Sequence, residues 1–211
     1  MNKHSHLIME ENHMDRLYHD PNPLISHSHQ KRLSEIVKSF SFKNSERILD
    51  AGCGEGHLLK LFKEKNSRLE LYGADVTLVA LAKAQERVPE AKFLFGDISE
   101  KLDYPDNFFD AVVITEVLEH IYHYPQALAE LKRLVKPNGF LLITFPNEPL
   151  FIFLRFIFGR RPIKIPDHLN SFLPSSIIKL VDWPVVKKRG LPLPWPFFLS
   201  PNYLIMFQKT R

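Results

Sequence analysis

Five acids, three glycines and one histidine stand where their types and spacing could do chemistry. The string Ile48–Gly56 reads I-L-D-A-G-C-G-E-G. An apolar run ends in Asp50, and Gly52, Gly54 and Gly56 follow on alternate positions. A helix-like run from Leu58 to Lys63 comes next. A strand, a glycine turn and a helix N-terminus let backbone approach a nucleotide-like ligand closely. A second strand-like run ends in Asp75, and a third leads into Phe95-Gly96-Asp97-Ile98. Further on, Glu116-Val-Leu-Glu119-His120 follows a fourth such run. If that string opens a helical turn, Glu116, Glu119 and His120 share one face.

The glycine spacing decides between cofactors. A dinucleotide fold shows G-x-G-x-x-G after its first strand; this chain has G-x-G-x-G with an acid two residues upstream. A carboxylate at that position repels a pyrophosphate and attracts a cation. S-adenosylmethionine has no phosphate and carries an ammonium and a sulfonium. Asp75, at a strand end, can accept both hydroxyls of its ribose. Asp97 can accept from the amino group of its adenine.

Methyl transfer from a sulfonium asks mainly for alignment of donor, methyl and acceptor. A hydroxyl or protonated amine acceptor also gains from a base. His120 is the best base by its near-neutral pKa, with Glu116 beside it; His123 reads as a solvated loop histidine. Two carboxylates and an imidazole can also hold a divalent metal. The expectation is a site without one; a metal, if bound, takes Glu116, Glu119 and His120. His168, in Pro166-Asp167-His168-Leu169-Asn170, could complete that set or fix a loop.

The elements that must position these residues alternate. Strand-like runs are Arg47–Asp50, Leu69–Asp75, Ala91–Phe95, Phe109–Thr115 and Gly139–Phe145. Helix-like runs lie between: His57–Lys65, Leu78–Val88 and Pro125–Val135, the last closed by a Lys136–Gly139 turn. Such alternation predicts a parallel sheet covered on both faces. Leu33, Ile36, Val37 and Phe40 recur at helical spacing between Ser28 and Phe40. Residues 1–27, with His4, His6, His13 and His19, read as a flexible lead-in. Residues 28–211 read as one domain, with a cofactor half over 45–145 and an acceptor cap with closing strands over 146–211. Ten of the 16 prolines lie beyond Phe145, so regular alternation stops there. Pro149–Phe158 is crowded with aromatics; it reads as an apolar helix on the sheet or as a hydrophobic acceptor pocket. Pro192–Pro196 reads as an extended loop, and Tyr203–Lys209 as a final strand.

The chain has 211 residues, 45% of them hydrophobic, enough for one α/β domain with a full core. A single cysteine excludes an internal disulfide and fits a cytoplasmic setting. No run is long and apolar enough to span a bilayer. The formal net charge of +4 comes with no dense basic block, so nucleic acid is not the favoured partner.

Five strings in order resemble the class I S-adenosylmethionine-dependent methyltransferase family, with a type 11-like domain: L-D-A-G-C-G-E-G, Y-G-A-D-V, F-G-D-I, F-D-A-V-V-I-T-E-V-L-E-H and R-L-V-K-P-N-G-F-L-L-I-T-F-P-N. They span roughly Arg47 to Asn147. The resemblance implies a Rossmann-like, doubly wound sheet of seven strands, mostly parallel with the last antiparallel. It implies S-adenosylmethionine as methyl donor and S-adenosylhomocysteine as product. It places Asp50, Ala51, Gly52, Cys53, Gly54 and Gly56 in the cofactor turn and Asp75 on ribose. It sets Val76, Asp97 and Ile98 at adenine and Thr115 near the methionine moiety. The expected activity is methylation of a small-molecule acceptor with hydrophobic character. The rivals are a metal-assisted RNA 2′-O-methyltransferase and a non-catalytic cofactor-binding protein. The oligomeric state is left open by the residues.

Overall fold

The structure, a computed structural model, describes residues 21–157, 168–192 and 196–210. The histidines of the lead-in before Pro21, and Arg160 and Arg161, lie outside the described residues. Helix α1 spans Pro23–Lys38, earlier than the apolar spacing alone indicates, because a proline suits a first helical position. Its Leu33, Ile36 and Val37 are buried, as is Phe40 just beyond.

Strand β1 (Arg47–Ala51) leads into α2 (His57–Lys65), β2 (Glu70–Asp75), α3 (Leu78–Arg87), β3 (Lys92–Phe95) and β4 (Phe109–Thr115). Helix α4 (Tyr124–Leu134) and β5 (Val135–Pro146) follow. The chain then forms α5 (Glu148–Ile157), α6 (Pro174–Val181), β6 (Val185–Leu191) and β7 (Asn202–Gln208). The seven strands form one sheet in the order β3-β2-β1-β4-β5-β7-β6. The pairs from β3 through β5 are parallel, and β7 runs antiparallel to both neighbours. This is the Rossmann-like architecture that the resemblance implies, and its parallel part is what the alternation predicts.

Pleating sorts the core into two layers. In β4, Val112 and Ile114 face one layer with Leu118, Leu128 and Leu131. Ala111 and Val113 face the other, with Leu33, Ile36 and Phe62 of α1 and α2. Burial on both faces explains why these strands read as continuous apolar runs.

Two features differ from the sequence reading. Strand β5 starts directly at Val135, and residues 136–139 form an irregularity within it rather than a turn before it. The register moves from Phe109–Val135 to Ala111–Phe140, with Asn138 left-handed at φ 65°. Lys136 is held there by Asp110, 2.7 Å away. In α5, Ile152, Phe153, Phe156 and Ile157 are exposed rather than packed on the sheet.

The chain order fixes where a ligand can sit. After β1 it runs outward to β2 and β3, then returns to lay β4 on the other side of β1. Ligands in such sheets bind outside the carboxyl ends of the strands at that switch point. The acids at the ends of β1 and β2, and the Glu116–His120 string after β4, all lie at that edge.

Candidate active site

The glycine turn is built by close approach. Gly52 has φ 78°, and a Cβ there would lie 2.5 Å from Val117 Cγ2. Only glycine admits both the left-handed backbone and that contact. The turn therefore rests against the residue between Glu116 and Leu118, so the cofactor loop and the Glu–His string adjoin. Gly52 and Cys53 donate their N–H groups to Ala74 O at 2.8 and 3.1 Å, extending the β1–β2 pairing into the turn. Gly54 N donates to Asp75 Oδ2 at 2.8 Å, and Thr77 N to Asp75 Oδ1 at 2.9 Å. Asp75 thus clamps the turn, and each oxygen keeps a further lone pair for a hydroxyl.

Asp50 is the unusual group. It is buried, and its Oδ1 has no hydrogen-bond partner. Burial, with the neighbouring Asp75 carboxylate adding to it, pushes its pKa up to about 8. A buried carboxyl without a cation lacks what would ionise it. Burial first, then Asp50 and Asp75, push the Cys53 thiol well up, so it is a packing group rather than a nucleophile. Ala51 is fully buried beneath the turn.

At the third strand end, Asp97 accepts from Ser99 N at 2.7 Å and Ser99 Oγ at 2.8 Å. With Val76, Phe95, Glu100 and Leu102 it lines a cavity of about 340 Å³. Ile98 points instead into the core. A larger cavity, about 450 Å³, opens at the opposite edge beside Phe42, Asp110, Lys136 and Lys187. It lies at the amino ends of β1 and β4, at the other edge from Asp50, Asp75, Asp97 and Glu116, so size does not locate the site.

Past β4 the chain bends sharply. Thr115, half-buried, is the last residue of the strand, and Glu116 follows at φ 54°. A non-glycine residue in that region is strained and persists only when its surroundings fix it. Here Thr144 Oγ1 donates to Glu116 Oε1 at 2.9 Å, Asn202 donates to Oε2, and Arg32 of α1 lies 3.3 Å from Oε2. Glu116 therefore ties β4 to β5, β7 and α1, and is not one of the three side chains whose ligand atoms cluster at His120.

The short helical turn Leu118–His120 carries Glu119 and His120. Burial first, then Glu116, push the Glu119 carboxyl well above its ordinary value. Its backbone oxygen accepts from Asn170 N at 3.0 Å, and Asn170 Nδ2 donates to Ile121 O at 2.7 Å. These bonds fasten the segment after α5 onto the turn. They bring His168 to His120, ring centroids 4.9 Å apart and edge to face. His168 Nδ1 is hydrogen-bonded to the buried Glu148 at the start of α5. His123 ends outside this group, at the start of α4.

Of the residues singled out from the sequence, the structure places the turn acids at the strand ends and brings Glu119, His120 and His168 together. Arg32, Thr144, Glu148 and Asn202, which make contacts with these groups or with Glu116, were not singled out. The only local signal among these is Glu148, directly after the P-N that ends β5. Asn202 is 86 residues from Glu116, and nothing local announces the contact.

Comparison with known proteins agrees with this geometry. Residues 49–143 match the family model described as a methyltransferase domain. A probable S-adenosylmethionine-dependent methyltransferase of Mycolicibacterium smegmatis is 33% identical over 135 residues, 64% of this chain and 49% of that protein. A demethylmenaquinone methyltransferase of Thermus thermophilus is 38% identical over 112 residues, 51% of this chain and 50% of that protein. A solved SAM-dependent methyltransferase from Aquifex aeolicus shares the fold with a TM-score of 0.68 at 18% identity, over 95% of this chain and 98% of that one. The chain spans about half the length of the curated relatives it matches. Through residues 49–143 it carries the methyltransferase domain of the class I S-adenosylmethionine-dependent family.

The residues present fit that family's cofactor. Asp50 offers an orphaned, buried carboxyl oxygen for an ammonium. Gly52 leaves no room for a side chain between the turn and Val117. The 340 Å³ cavity at Val76 and Asp97 is available to an adenine ring.

Proposed function

We propose that this chain transfers a methyl group from S-adenosylmethionine to a small-molecule acceptor with hydrophobic character. The observation that carries the reading is Asp50 Oδ1, buried and unpartnered beside the glycine turn. S-adenosylmethionine, when bound, supplies an electrophilic methyl group on sulfonium. The chain's residues bind and orient. Asp50 takes the ammonium, Asp75 takes ribose hydroxyls while holding Gly54, and Asp97 takes the adenine edge. Thr115 lies at the end of β4, towards the methionine moiety. Glu116 positions the end of β4 against α1 and β7. Glu119, His120 and His168 face the acceptor side. Residues 28–211 act as one domain, the cofactor half over 45–145 and the acceptor cap over 146–211. A cytoplasmic setting suits the single buried thiol of Cys53.

The hydrophobic acceptor rests on α5. Its exposed Ile152, Phe153, Phe156 and Ile157 form an apolar face after β5. Four relatives are named demethylmenaquinone methyltransferase, which supports the same class. Among the described residues no helix is long and apolar enough to cross a membrane. Because Phe153 and Phe156 are exposed, changing both to Ser should leave stability within about 0.5 kcal/mol each. The expected outcome is a raised KM for the acceptor with unchanged cofactor binding; equal loss of both would sink the α5 assignment.

The decisive assay follows radiolabelled methyl from S-adenosylmethionine into a panel of quinols, phenols, carboxylic acids and RNA oligonucleotides. Label on an apolar small molecule is expected. Label confined to RNA ends would transfer the reading to an RNA 2′-O-methyltransferase. Tight cofactor binding with no label anywhere would favour a non-catalytic role.

A further inference from the structure

We propose that Glu119, His120 and His168 form a binding site for a divalent transition-metal ion on the acceptor side of the crevice, with Glu148 orienting His168. One ligand atom from each of the three lies within 4.8 Å of the others. Bonds of about 2.0–2.2 Å place neighbouring ligand atoms roughly 3–4 Å apart. Closing this group on an ion thus takes side-chain movement of about an ångström.

Three further observations point to a cation. Glu119 is 1% exposed, and its Oε2 has no hydrogen-bond partner. A buried carboxylate oxygen is costly unless paired or bound to a metal. Arg32, 3.3 Å from Glu116, also acts on Glu119 by its charge but offsets the burial only in part. The hydrogen bond from His168 Nδ1 to Glu148 leaves Nε2 as the ligand atom. That carboxylate–imidazole arrangement is the usual support of a metal-binding histidine. Finally, the donors come from two segments far apart in sequence, fastened by the two Asn170 hydrogen bonds. The group is therefore held together before any ion arrives.

The donor set selects the ion. Two imidazoles and one carboxylate suit Mn²⁺, Fe²⁺, Co²⁺ or Zn²⁺; Mg²⁺ and Ca²⁺ prefer oxygen ligands alone. Three protein ligands leave positions open for a small molecule. An acceptor oxygen can take such a position, whereas an ammonium is repelled. This narrowing to oxygen acceptors rests on the methyl-transfer reading; metal binding itself does not. The proposal departs from the metal-free site expected from the sequence. Among the ligands it takes His168 in place of Glu116, whose carboxylate is in contact with Arg32, Thr144 and Asn202.

The test uses the full chain, stripped with EDTA, with no acceptor present. His4, His6, His13 and His19 are changed to Ala so that the lead-in cannot bind metal. Co²⁺ is titrated by visible absorption and calorimetry. The expected result is one saturable Co²⁺ per chain, weakened at least tenfold by His120→Ala and by His168→Ala. Glu148→Gln should weaken it roughly 10–100-fold without removing a ligand. S-adenosylhomocysteine binding should stay within about threefold in each variant, which separates loss of the metal site from loss of the cofactor site. Substoichiometric Mn²⁺ gives a reading without any change at the site: the ring signals of His120 and His168 should broaden first. Absence of saturable Co²⁺ binding below millimolar concentration, binding that survives both histidine changes, or first broadening at other histidines would each overturn the proposal.

Discussion

At the scale of single residues, Asp50 carries the most weight. Its pKa of about 8 in the folded chain, against 3.8 ordinarily, means that the folded form holds a proton the unfolded form has lost. Stability of the cofactor-free protein should therefore fall as pH rises from about 4 to about 8, and level off above. An ammonium favours the ionised carboxylate, so cofactor binding releases a proton in that window. Affinity for S-adenosylhomocysteine should rise from pH 6 to pH 8. Asp50→Asn should abolish that rise, weaken binding at least tenfold, and raise the melting temperature of the free protein at pH 8. Calorimetric titration at three pH values reads the first two effects. A pH-independent affinity that Asp50→Asn leaves unchanged would contradict the ammonium role. The need for an acid before the glycines was legible in the sequence. That its oxygen is unpartnered was not, because burial is a property of the whole edge.

At the scale of elements, the loop after β3 must be held for the adenine cavity to exist. Arg133 of α4 does this: it donates to Tyr104 O at 2.8 Å and pairs with Glu130 and Asp106 at 2.6 Å each. Glu130, itself buried, accepts from Leu102 N at 2.8 Å. Arg133→Ala leaves the Glu130 carboxylate uncompensated and should cost about 2–4 kcal/mol in urea unfolding. It should also loosen the cofactor through Asp97 and Leu102. An unchanged unfolding midpoint would show that the loop is held by its apolar contacts instead. Elements with strong alternation were legible: β4 and α2 fall where their patterns place them. β6 was not, since V-V-K-K-R-G-L puts three cations in a strand at the sheet edge. Helix α6 is short, its apolar run following a proline-rich segment with no strand pattern beside it. The sequence showed that α5 is apolar but not that this face stays exposed.

At the scale of the molecule, the order β3-β2-β1-β4-β5-β7-β6 brings acids from four strand ends to one edge. That convergence was legible, because alternating strands and helices force a parallel sheet and parallel strands point their carboxyl ends the same way. The side of the crevice past β4 was less legible: its contacts join Arg32, Thr144, Glu148, His168 and Asn202 across the chain. The defining property of the whole is recognition of a cationic, phosphate-free adenosyl cofactor. The direct measurement is the melting temperature of the full chain with S-adenosylhomocysteine and, separately, with NAD. At 100 times its dissociation constant a ligand adds about 2.7 kcal/mol, which for a chain of this length is a rise of roughly 5–10 °C. That rise with S-adenosylhomocysteine, and none with NAD, is the expected result. A rise with NAD and none with S-adenosylhomocysteine would contradict it.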